Sequence, residues 1–377
     1  MHFKNGIVKP TKSMAKKKIC IVGGEDVHKR INISKYLRDD NFEVTILGTS
    51  MESFPDFINY IPYNLNRKLS FSSDYKTIQF FKRFFSENKF DIIQTFDTKP
   101  AFLLPLALRK TKTPITRTIT GLGTIFMDKS VKSFILRLVY FTLHFIVRKR
   151  VSQTIFQNSD DRDIYLKAKL ITQDNHAMIL SSGIELKNIT KVAPRNNATF
   201  TFICVARLVY EIVIINLIEA ARICEERGHH FKYLLVGPLE ENSKKLNEDI
   251  LKQYDDIVDR LGSRSDVLEL LTQSDAFILP TFREGFSRVL LEAAAVGLPC
   301  ITTNVPGVGE IVRHQQEGLI AQVRDSESLA NAMIELGTNK PLADKFAQNA
   351  LERVKLFSLE TVAKQYITIF DQIINLN

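Results

Sequence analysis

The chain has 377 residues, of which 45% are hydrophobic and 25% charged, the composition of an ordinary globular protein. That length is long for a single domain and suits two. The four cysteines are dispersed without any CxxC spacing, which argues against a zinc site or a disulfide framework (Cys20, Cys204, Cys224 and Cys300). The first 18 residues are polar and basic without an apolar segment. The sequence therefore predicts no signal peptide and a cytoplasmic location.

Charge is distributed unevenly along the chain. The net charge is +9, from 51 Lys and Arg against 42 Asp and Glu. Residues 1–190 contain 31 basic and 17 acidic residues, whereas the remainder contains 20 and 25. A basic half predicts an anionic partner, and nucleic acid, anionic lipid or a phosphorylated substrate would each satisfy it. A surface kept basic only for solubility would give the same counts.

In chain order, short apolar runs alternate with helical patterns. The first half has predicted strands at residues 18–22, 42–47, 90–96, 115–119, 154–157 and 178–180, and predicted helices near 32–38 and 99–108. The second half restarts with strands at 200–205, 233–236, 276–279 and 299–302, helices at 214–227, 267–271 and 287–296, and an amphipathic last helix near 359–375. Strands that alternate with helices predict an α/β fold with parallel sheets covered on both faces.

A polar, proline-containing segment at residues 191–197 separates the two α/β units. The predicted domains are therefore 1–190 and 191–356, followed by a terminal helical segment at 357–377. Two such domains create a cleft at the carboxyl ends of their strands, where α/β sheets bind ligands.

The most informative segment is residues 280–299, PTFREGFSRVLLEAAAVGLP. A strand ends at Pro280, and a glycine turn leads into a helix whose first amides, at Gly285, Phe286 and Ser287, are free to hold an anion or sugar hydroxyls. Glu284 precedes the turn and Glu292 lies two turns into the helix. Carboxylates accept paired hydrogen bonds from vicinal hydroxyls, which suits a sugar or a ribose. Taken singly, either glutamate could equally be a solvated or capping charge.

This segment resembles the signature of the retaining glycosyltransferases called family four, in which two glutamates stand seven residues apart. Further along, residues 305–310 (VPGVGE) and 357–360 (FSLE) also fit that family. Residues 121–126 (GLGTIF) are similar to the members that extend undecaprenyl-diphosphate-linked sugars, including those that add N-acetylgalactosamine to lipid-linked diacetylbacillosamine. The resemblance implies two Rossmann-like domains facing across a cleft, the GT-B fold. It also implies that domain 1–190 faces the acceptor and the membrane, that domain 191–356 binds the nucleotide sugar, and that the helix in 357–377 returns to the first domain.

The resemblance also implies roles for individual residues. Glu292 would hold the ribose, and Glu284 with the amides of residues 285–287 would hold the donor sugar and diphosphate. Arg207 would contact the diphosphate, although a cation after a strand is also an ordinary surface residue. Residues 262–264, with Arg264, would border the base, and Gly24 would lie where the first domain approaches the donor. The co-substrate would be a UDP-sugar, the acceptor a lipid-linked sugar, and no cofactor or metal is expected.

The chain departs from the family pattern after Arg207. Relatives usually have a lysine and a glycine where this chain has Ile212 and Val213, so a phosphate-binding cation is missing. The departure predicts weak donor binding. It also leaves open a competing hypothesis, a membrane-associated scaffold that has lost donor binding.

Two segments are candidates for contact with a membrane. Residues 129–150 combine an apolar, aromatic middle with basic ends at Arg148, Lys149 and Arg150, and the apolar stretch is too short to span a bilayer. This pattern is typical of an interfacial helix on anionic lipid. Residues 80–85 (FFKRFF) form the second candidate, and Lys99 is a weaker one for the acceptor or the membrane. Core helices with snorkelling cations are the alternative for both segments.

Other functions find little support. The first predicted strand leads into Gly23-Gly24 without a GxGxxG motif, which argues against a dinucleotide oxidoreductase. The sequence contains no P-loop and no HExxH motif, and its seven histidines are scattered. The basic half is compatible with nucleic acid, but no recognised module accompanies it, so no nucleic-acid partner is expected.

Overall fold

The computed structural model describes residues 15–66, 70–122, 126, 130–189, 197–208, 214–239, 246–282 and 286–376. Within these ranges the strands form two parallel sheets, one of seven strands and one of six. Each sheet is covered by helices, as parallel strands joined by helical crossovers require. The predicted pair of α/β units that face each other across a cleft is confirmed.

The first sheet has the strand order β3-β2-β1-β4-β5-β6-β7. Its inner strands are short and mostly buried, whereas the edge strands β3 and β7 are more exposed. The strands are β1 (Lys17–Val22), β2 (Phe42–Gly48), β3 (Ile58–Pro62), β4 (Ile92–Thr95), β5 (Ile115–Ile119), β6 (Gln153–Phe156) and β7 (His176–Met178). The helices of this domain are α1 (Ile31–Asp39), α2 (Phe71–Glu87), α3 (Pro100–Ala107), α4 (Val131–Val147) and α5 (Ser159–Lys167). The order reverses between β1 and β4, which opens a crevice at their carboxyl ends.

The second sheet has the strand order β10-β9-β8-β11-β12-β13. Its strands are β8 (Thr201–Val205), β9 (Lys232–Val236), β10 (Asp259–Gly262), β11 (Ala276–Leu279), β12 (Cys300–Thr303) and β13 (Gly318–Ala321). The helices are α6 (Ile214–Glu226), α7 (Glu248–Lys252), α8 (Val267–Gln273), α9 (Arg288–Ala295), α10 (Ser326–Thr338) and α11 (Lys340–Val354). The order again reverses between β8 and β11, so the second sheet has its crevice at the strand pair that corresponds to β1 and β4 in the first sheet.

The last helix, α12 (Leu359–Asn375), packs against the core of the first domain. Its Tyr366 hydroxyl lies 2.9 Å from the Thr118 hydroxyl on β5, and Lys17 on β1 pairs with Asp371 at 2.6 Å. Ser358 begins the helix by accepting a hydrogen bond from Thr361 N at 3.2 Å. The chain therefore crosses between the domains twice, and the crossings meet where Ile184 N donates to Phe357 O at 3.0 Å.

Helix α4 is attached to the first sheet through a buried polar cluster. The Arg117 guanidinium on β5 donates to Thr154 Oγ1 on β6 at 3.0 Å and contacts His144 Nδ1 on α4 at 2.8 Å. Burial lowers the pKa of His144 well below its usual value, and the Arg117 charge lowers this pKa further. His144 is therefore neutral and accepts from the guanidinium, which fixes the face of α4 that turns inward.

Candidate functional site

The carboxyl ends of β8, β9 and β10 border a cavity of about 730 Å³ in the second domain. Arg260 in its lining pairs with Glu248 at 2.8 Å and with Asp255 at 2.6 Å. The full lining consists of Leu208, Gly237, Pro238, Leu239, Glu248, Leu251, Asp255, Val258, Asp259, Arg260, Leu261, Gly262 and Ser263. Ligands of α/β sheets bind at such strand ends. Gly262 and Ser263, which were predicted to border the base of the donor, line this cavity.

Gly237 shapes this cavity by allowing two strands to approach closely. Its φ is +140°, and its amide donates to Gly262 O at 2.8 Å. A Cβ on this residue would lie 1.8 Å from Ala206 O, so only glycine fits. Since Ala206 directly precedes Arg207, the same contact sets where Arg207 leaves the sheet.

Arg207 and Arg264 are both exposed at this edge of the domain. Arg207 follows β8, where a ligand phosphate could reach it, and it keeps its predicted role as a hypothesis. Arg264 instead pairs with Asp266, its Nε lying 2.8 Å from Asp266 Oδ1. This hydrogen bond raises the pKa of Arg264. The cavity is lined by the neighbouring Gly262 and Ser263 and not by Arg264.

Helix α9 presents the second part of the predicted donor site. It begins at Arg288, with a buried Ser287 before it, one turn later than the free amides were predicted to begin. Glu292 is partly exposed and accepts from Arg288 Nε at 3.1 Å. Phe286 packs against Phe357, with ring centroids 5.3 Å apart, and so connects this turn to the domain crossing.

Several predicted residues fall outside the described part of the chain. Glu284 and Gly285 of the motif are among them, as are Ile212 and Val213. Their assignments remain predictions from sequence.

The first domain contributes the turn after β1. Gly24 N donates to Asp97 Oδ2 at 2.7 Å, and Asp97 follows β4 with a φ of +68°. A non-glycine residue with positive φ is strained, and such strain is common at functional sites. Asp97 was not predicted from the sequence, although an acid directly after a predicted strand is a signal that could have identified it. Its carboxylate fixes the turn at Gly24, and the approach of Gly24 to the donor stays a prediction.

The two domains are joined at the other end of the cleft by Glu310. Its Oε1 accepts from Ser159 N at 3.1 Å and Ser159 Oγ at 3.0 Å, at the first residue of α5. A carboxylate is favoured there because helix N-termini carry free amides and partial positive charge. Arg353 Nη2 donates to Glu310 O at 2.6 Å and supports the loop. These residues border an interdomain cavity of about 600 Å³.

Glu310→Ala is expected to loosen domain closure and to lower turnover several-fold, because a hydrogen bond to a charged group contributes about 1.5–3 kcal/mol. Small-angle scattering should show a larger radius of gyration for this variant. Glu352→Ala removes a carboxylate that pairs with Lys355 within the second domain, and it serves as the control. Unchanged scattering and unchanged turnover in Glu310→Ala would contradict the role of this contact.

Helix α4 carries an exposed apolar face on the first domain. Phe134 is 61% and Leu138 60% exposed, and the same face continues along the helix with Val131, Ile135, Phe145 and Ile146. Lys132 and Lys149 are exposed beside it, and residues 129–150 contain no acid. One face of α4 packs on the sheet, but the core-helix alternative does not account for this exposed face, since contiguous exposed apolar surface marks an interaction site.

The second membrane candidate, residues 80–85, is wrong. Phe81, Phe84 and Phe85 on α2 are buried in the core of the first domain, among Tyr63 and Phe90. Lys82 and Arg83 alternate with them on the exposed face. The aromatic and basic residues thus lie on opposite sides of one core helix.

The basic residues predicted to contact the membrane or the acceptor differ in whether their charges are exposed. Lys149 is exposed, and Arg148 stacks on Phe145, with Cζ 3.3 Å from the ring centroid. The prediction for Arg150 is wrong, because its guanidinium donates to Leu108 O at 2.7 Å and to Thr113 O at 2.6 Å. Lys99 is also buried, in an ion pair with Asp74 at 2.5 Å. Neither Lys99 nor Arg150 offers its charge to a membrane surface.

In the described part of the chain, no helix has the length and apolarity needed to cross a membrane. Among the same residues, no group of three His, Cys, Asp or Glu side chains is arranged to hold a metal ion.

Two family models match the chain, one on each domain. The model "Glycosyl transferases group 1" matches residues 187–353, and "Glycosyl transferase 4-like" matches residues 18–158. The chain belongs to these glycosyltransferases. The match to the group 1 model includes the cavity, Gly237 and α9, and the chain is accordingly a hexosyltransferase of the EC 2.4.1 type with the GT-B fold.

Two characterised relatives align with most of this glycosyltransferase. It is 24% identical to the Escherichia coli UDP-Gal:alpha-D-GlcNAc-diphosphoundecaprenol alpha-1,3-galactosyltransferase, over 83% of this chain and 85% of that protein. It is also 24% identical to the N,N'-diacetylbacillosaminyl-diphospho-undecaprenol alpha-1,3-N-acetylgalactosaminyltransferase of Campylobacter jejuni, over 93% of this chain and 97% of that protein. The predicted resemblance to transferases of lipid-linked sugars is confirmed.

The fold is also that of solved glycosyltransferases. The crystal structure of a glycosyltransferase from Rickettsia africae superposes with a TM-score of 0.75 at 19% identity, over 95% of this chain and 98% of that one.

Proposed function

We propose that this glycosyltransferase moves a hexose or N-acetylhexosamine from a UDP-sugar to a sugar linked to polyprenyl diphosphate, with retention at the anomeric carbon. The observation that carries the proposal is the alignment of both domains with two transferases whose names specify diphosphoundecaprenol-linked acceptors. One of these names also specifies a UDP-sugar donor. The reaction would serve the assembly of a surface polysaccharide or a protein glycan.

The donor would lie across the carboxyl edge of the second sheet. Its base would enter the cavity beside Gly262 and Ser263, and its ribose hydroxyls would bind the Glu292 carboxylate on α9. The diphosphate would lie between Arg207 and the amides that start α9. As the bond to the sugar breaks, negative charge grows on the diphosphate, and these fixed donors stabilise it. We assign this stabilisation to the protein's own groups, without a metal ion.

The acceptor would be presented at a membrane by helix α4. The apolar face of α4 would enter the headgroup region, while Lys132 and Lys149 would contact anionic lipid. Each cation near such a surface contributes about 1 kcal/mol. This arrangement would bring the first domain's half of the cleft close to a lipid-linked sugar.

The donor half of the proposal is tested by calorimetry and nucleotide release. The chain is titrated with UDP-, GDP- and ADP-sugars, and release of each nucleotide diphosphate is measured. Binding and release restricted to UDP-sugars support the proposal. No binding of any nucleotide sugar would instead favour the scaffold that has lost donor binding, which the replacement of the usual lysine and glycine by Ile212 and Val213 suggests.

The membrane half is tested with the combined changes Phe134→Ser, Ile135→Ser and Leu138→Ser. These exposed side chains should bury apolar area in the bilayer at about 25 cal/mol per Å², so vesicle binding should fall at least about tenfold. Co-sedimentation with anionic vesicles measures it. The control changes three exposed leucines elsewhere, Leu268, Leu356 and Leu376, to serine. Equal binding by the α4 variant and the control variant would contradict the role of α4.

A further inference from the structure

The cavity of about 600 Å³ between the two domains has no role in the functions assigned above. Its wall in the first domain is formed by Ser159 and Asp160, where the chain leaves β6 and begins α5. Its wall in the second domain is formed mainly by residues of the segment 303–310, which ends β12 and follows it. Since each domain supplies one wall, the cavity exists only while the two domains face each other. The hydrogen bonds from Ser159 to Glu310 hold them in that arrangement.

Three polar side chains of this cavity keep hydrogen-bonding groups for a ligand. Asp160 and Asn304 are exposed, and neither side chain has a partner among the residues that the structure describes. Glu310 accepts from Ser159 through Oε1, which leaves its Oε2 available. Carboxylates accept hydrogen bonds, and a side-chain amide both donates and accepts them, so this set is suited to hydroxyl and amide groups.

The rest of the lining determines which kind of ligand fits. Val305, Pro306 and Ile320 are partly exposed in the cavity and are apolar. The charged groups are two carboxylates and the Arg353 guanidinium, so the net charge is negative and opposes a diphosphate or another anion. The cavity therefore favours a neutral ligand that combines hydroxyl or amide groups with apolar faces, which is the chemistry of a sugar.

The order of the strands places the cavity on the sugar side of the proposed donor. In the second sheet, the cavity proposed for the base lies at β9 and β10, and the diphosphate would lie between the ends of β8 and β11. The next strand in that direction is β12, so the sugar end of the donor would point toward the interdomain cavity. In the first sheet, β6 lies two strands from β4, about 10 Å at the usual strand spacing.

The cavity also lies on the side of the first domain from which an acceptor would arrive. The strand directly beside β6 is β5, and the chain leaves β5 to form α4 with its exposed apolar face. A lipid-linked sugar held at α4 would therefore meet the carboxyl ends of β5 and β6 as it enters the cleft.

We propose that the interdomain cavity binds the sugar of the lipid-linked acceptor, with Asp160 and Asn304 as hydrogen-bonding partners for its hydroxyl or acetamido groups. This inference rests on the proposed transfer to a lipid-linked sugar. It divides acceptor recognition between the two domains, so that the acceptor sugar is bound only in the closed arrangement.

The test compares acceptor kinetics with donor binding in the full-length chain. Transfer from a saturating UDP-sugar to undecaprenyl-diphosphate-linked N-acetylglucosamine or diacetylbacillosamine is measured in anionic vesicles, and UDP affinity is measured by calorimetry. Asp160→Ala should raise the acceptor KM at least about tenfold, the size of one hydrogen bond to a charged group, and leave UDP affinity unchanged. The control is Asp163→Ala on the same helix, because Asp163 pairs with Arg162 at 2.7 Å and does not line the cavity.

A second variant fills the cavity without removing a polar group. Gly309 lines it, and a Cβ on this residue would meet no atom within 4 Å, so Gly309→Leu adds bulk without a backbone clash. The acceptor KM should again rise at least about tenfold with UDP affinity unchanged, since the added side chain is as large as the groups that it must exclude.

Thermal melting checks that each variant is folded, and Asn304→Ala replaces either one that is not. A wild-type acceptor KM in either folded variant overturns this inference alone, because the wild type still transfers sugar. An equal loss of UDP affinity would assign the effect to domain closure and would overturn it as well. If the wild type transfers sugar to neither lipid-linked acceptor, the proposed function fails and this inference fails with it.

Discussion

Glu292→Gln should reduce turnover at least about tenfold while leaving the melting temperature unchanged, since a hydrogen bond to a charged group is worth about 1.5–3 kcal/mol. Glu292 lies on the partly exposed face of α9, whereas Leu290 and Leu291 form its buried face. The amide keeps the size of the side chain but loses the charge and one acceptor site for ribose hydroxyls. Steady-state kinetics at several UDP-sugar concentrations measure the effect.

The matched control is Glu352→Gln on α11 of the same domain. Glu352 also pairs with a nearby cation, Lys355 at 2.6 Å, but it lies away from the cleft strands. Its turnover should equal that of the wild type. Wild-type turnover in Glu292→Gln as well would remove α9 from the donor site.

Gly237→Ala is expected to lower both the melting temperature and the affinity for UDP. The new Cβ would lie 1.8 Å from Ala206 O, a backbone atom that cannot rotate away, and φ is +140°. The ends of β8 and β9 must separate, at an expected cost of about 2–4 kcal/mol, which corresponds to roughly 5–15 °C in this domain. Because Arg207 follows Ala206, UDP affinity should fall at least about tenfold.

Gly228→Ala is the control that adds left-handed backbone strain without the close contact made at Gly237. Gly228 also has positive φ, +78°, but no atom lies within 4 Å of its added Cβ. Only the left-handed strain remains, about 1–2 kcal/mol, and UDP affinity should not change. If calorimetry and thermal melting give the same values for both alanine variants, the close approach at Gly237 does not shape the donor site.

Much of the fold follows from local pattern. Short apolar runs that alternate with helical segments predict buried parallel strands, and most of the strands in the structure begin and end within two residues of those runs. The strands β3, β10 and β13 were missed because Ile58–Pro62 ends in proline, Asp259–Gly262 is polar and Gly318–Ala321 begins with glycine. Their places in the sheets depend on pairing with β2, β9 and β12, which no local pattern contains.

The sequence predicts site residues that lie together in one segment. It does not predict whether a side chain is buried or exposed where tertiary packing determines this. Glu292 could be proposed from the sequence because strand, turn and helix follow one another there. Phe81 on α2 and Phe134 on α4 occur in similar mixtures of aromatic and basic residues, yet one is buried and the other exposed. Only the packing of each helix on the sheet separates them. Arg150 was misjudged for the same reason, since its partners lie about 40 residues away.

The central claim is tested most directly by transfer to a lipid-linked acceptor. The purified chain is incubated with UDP-sugars and undecaprenyl-diphosphate-linked monosaccharides in anionic vesicles. The masses of the lipid products are then measured by mass spectrometry. We expect a product heavier by one hexose or N-acetylhexosamine residue, formed only when donor and acceptor are both present and strongly reduced with Glu292→Gln. UDP release that ignores the lipid acceptor, with no heavier lipid from any pair, would contradict it.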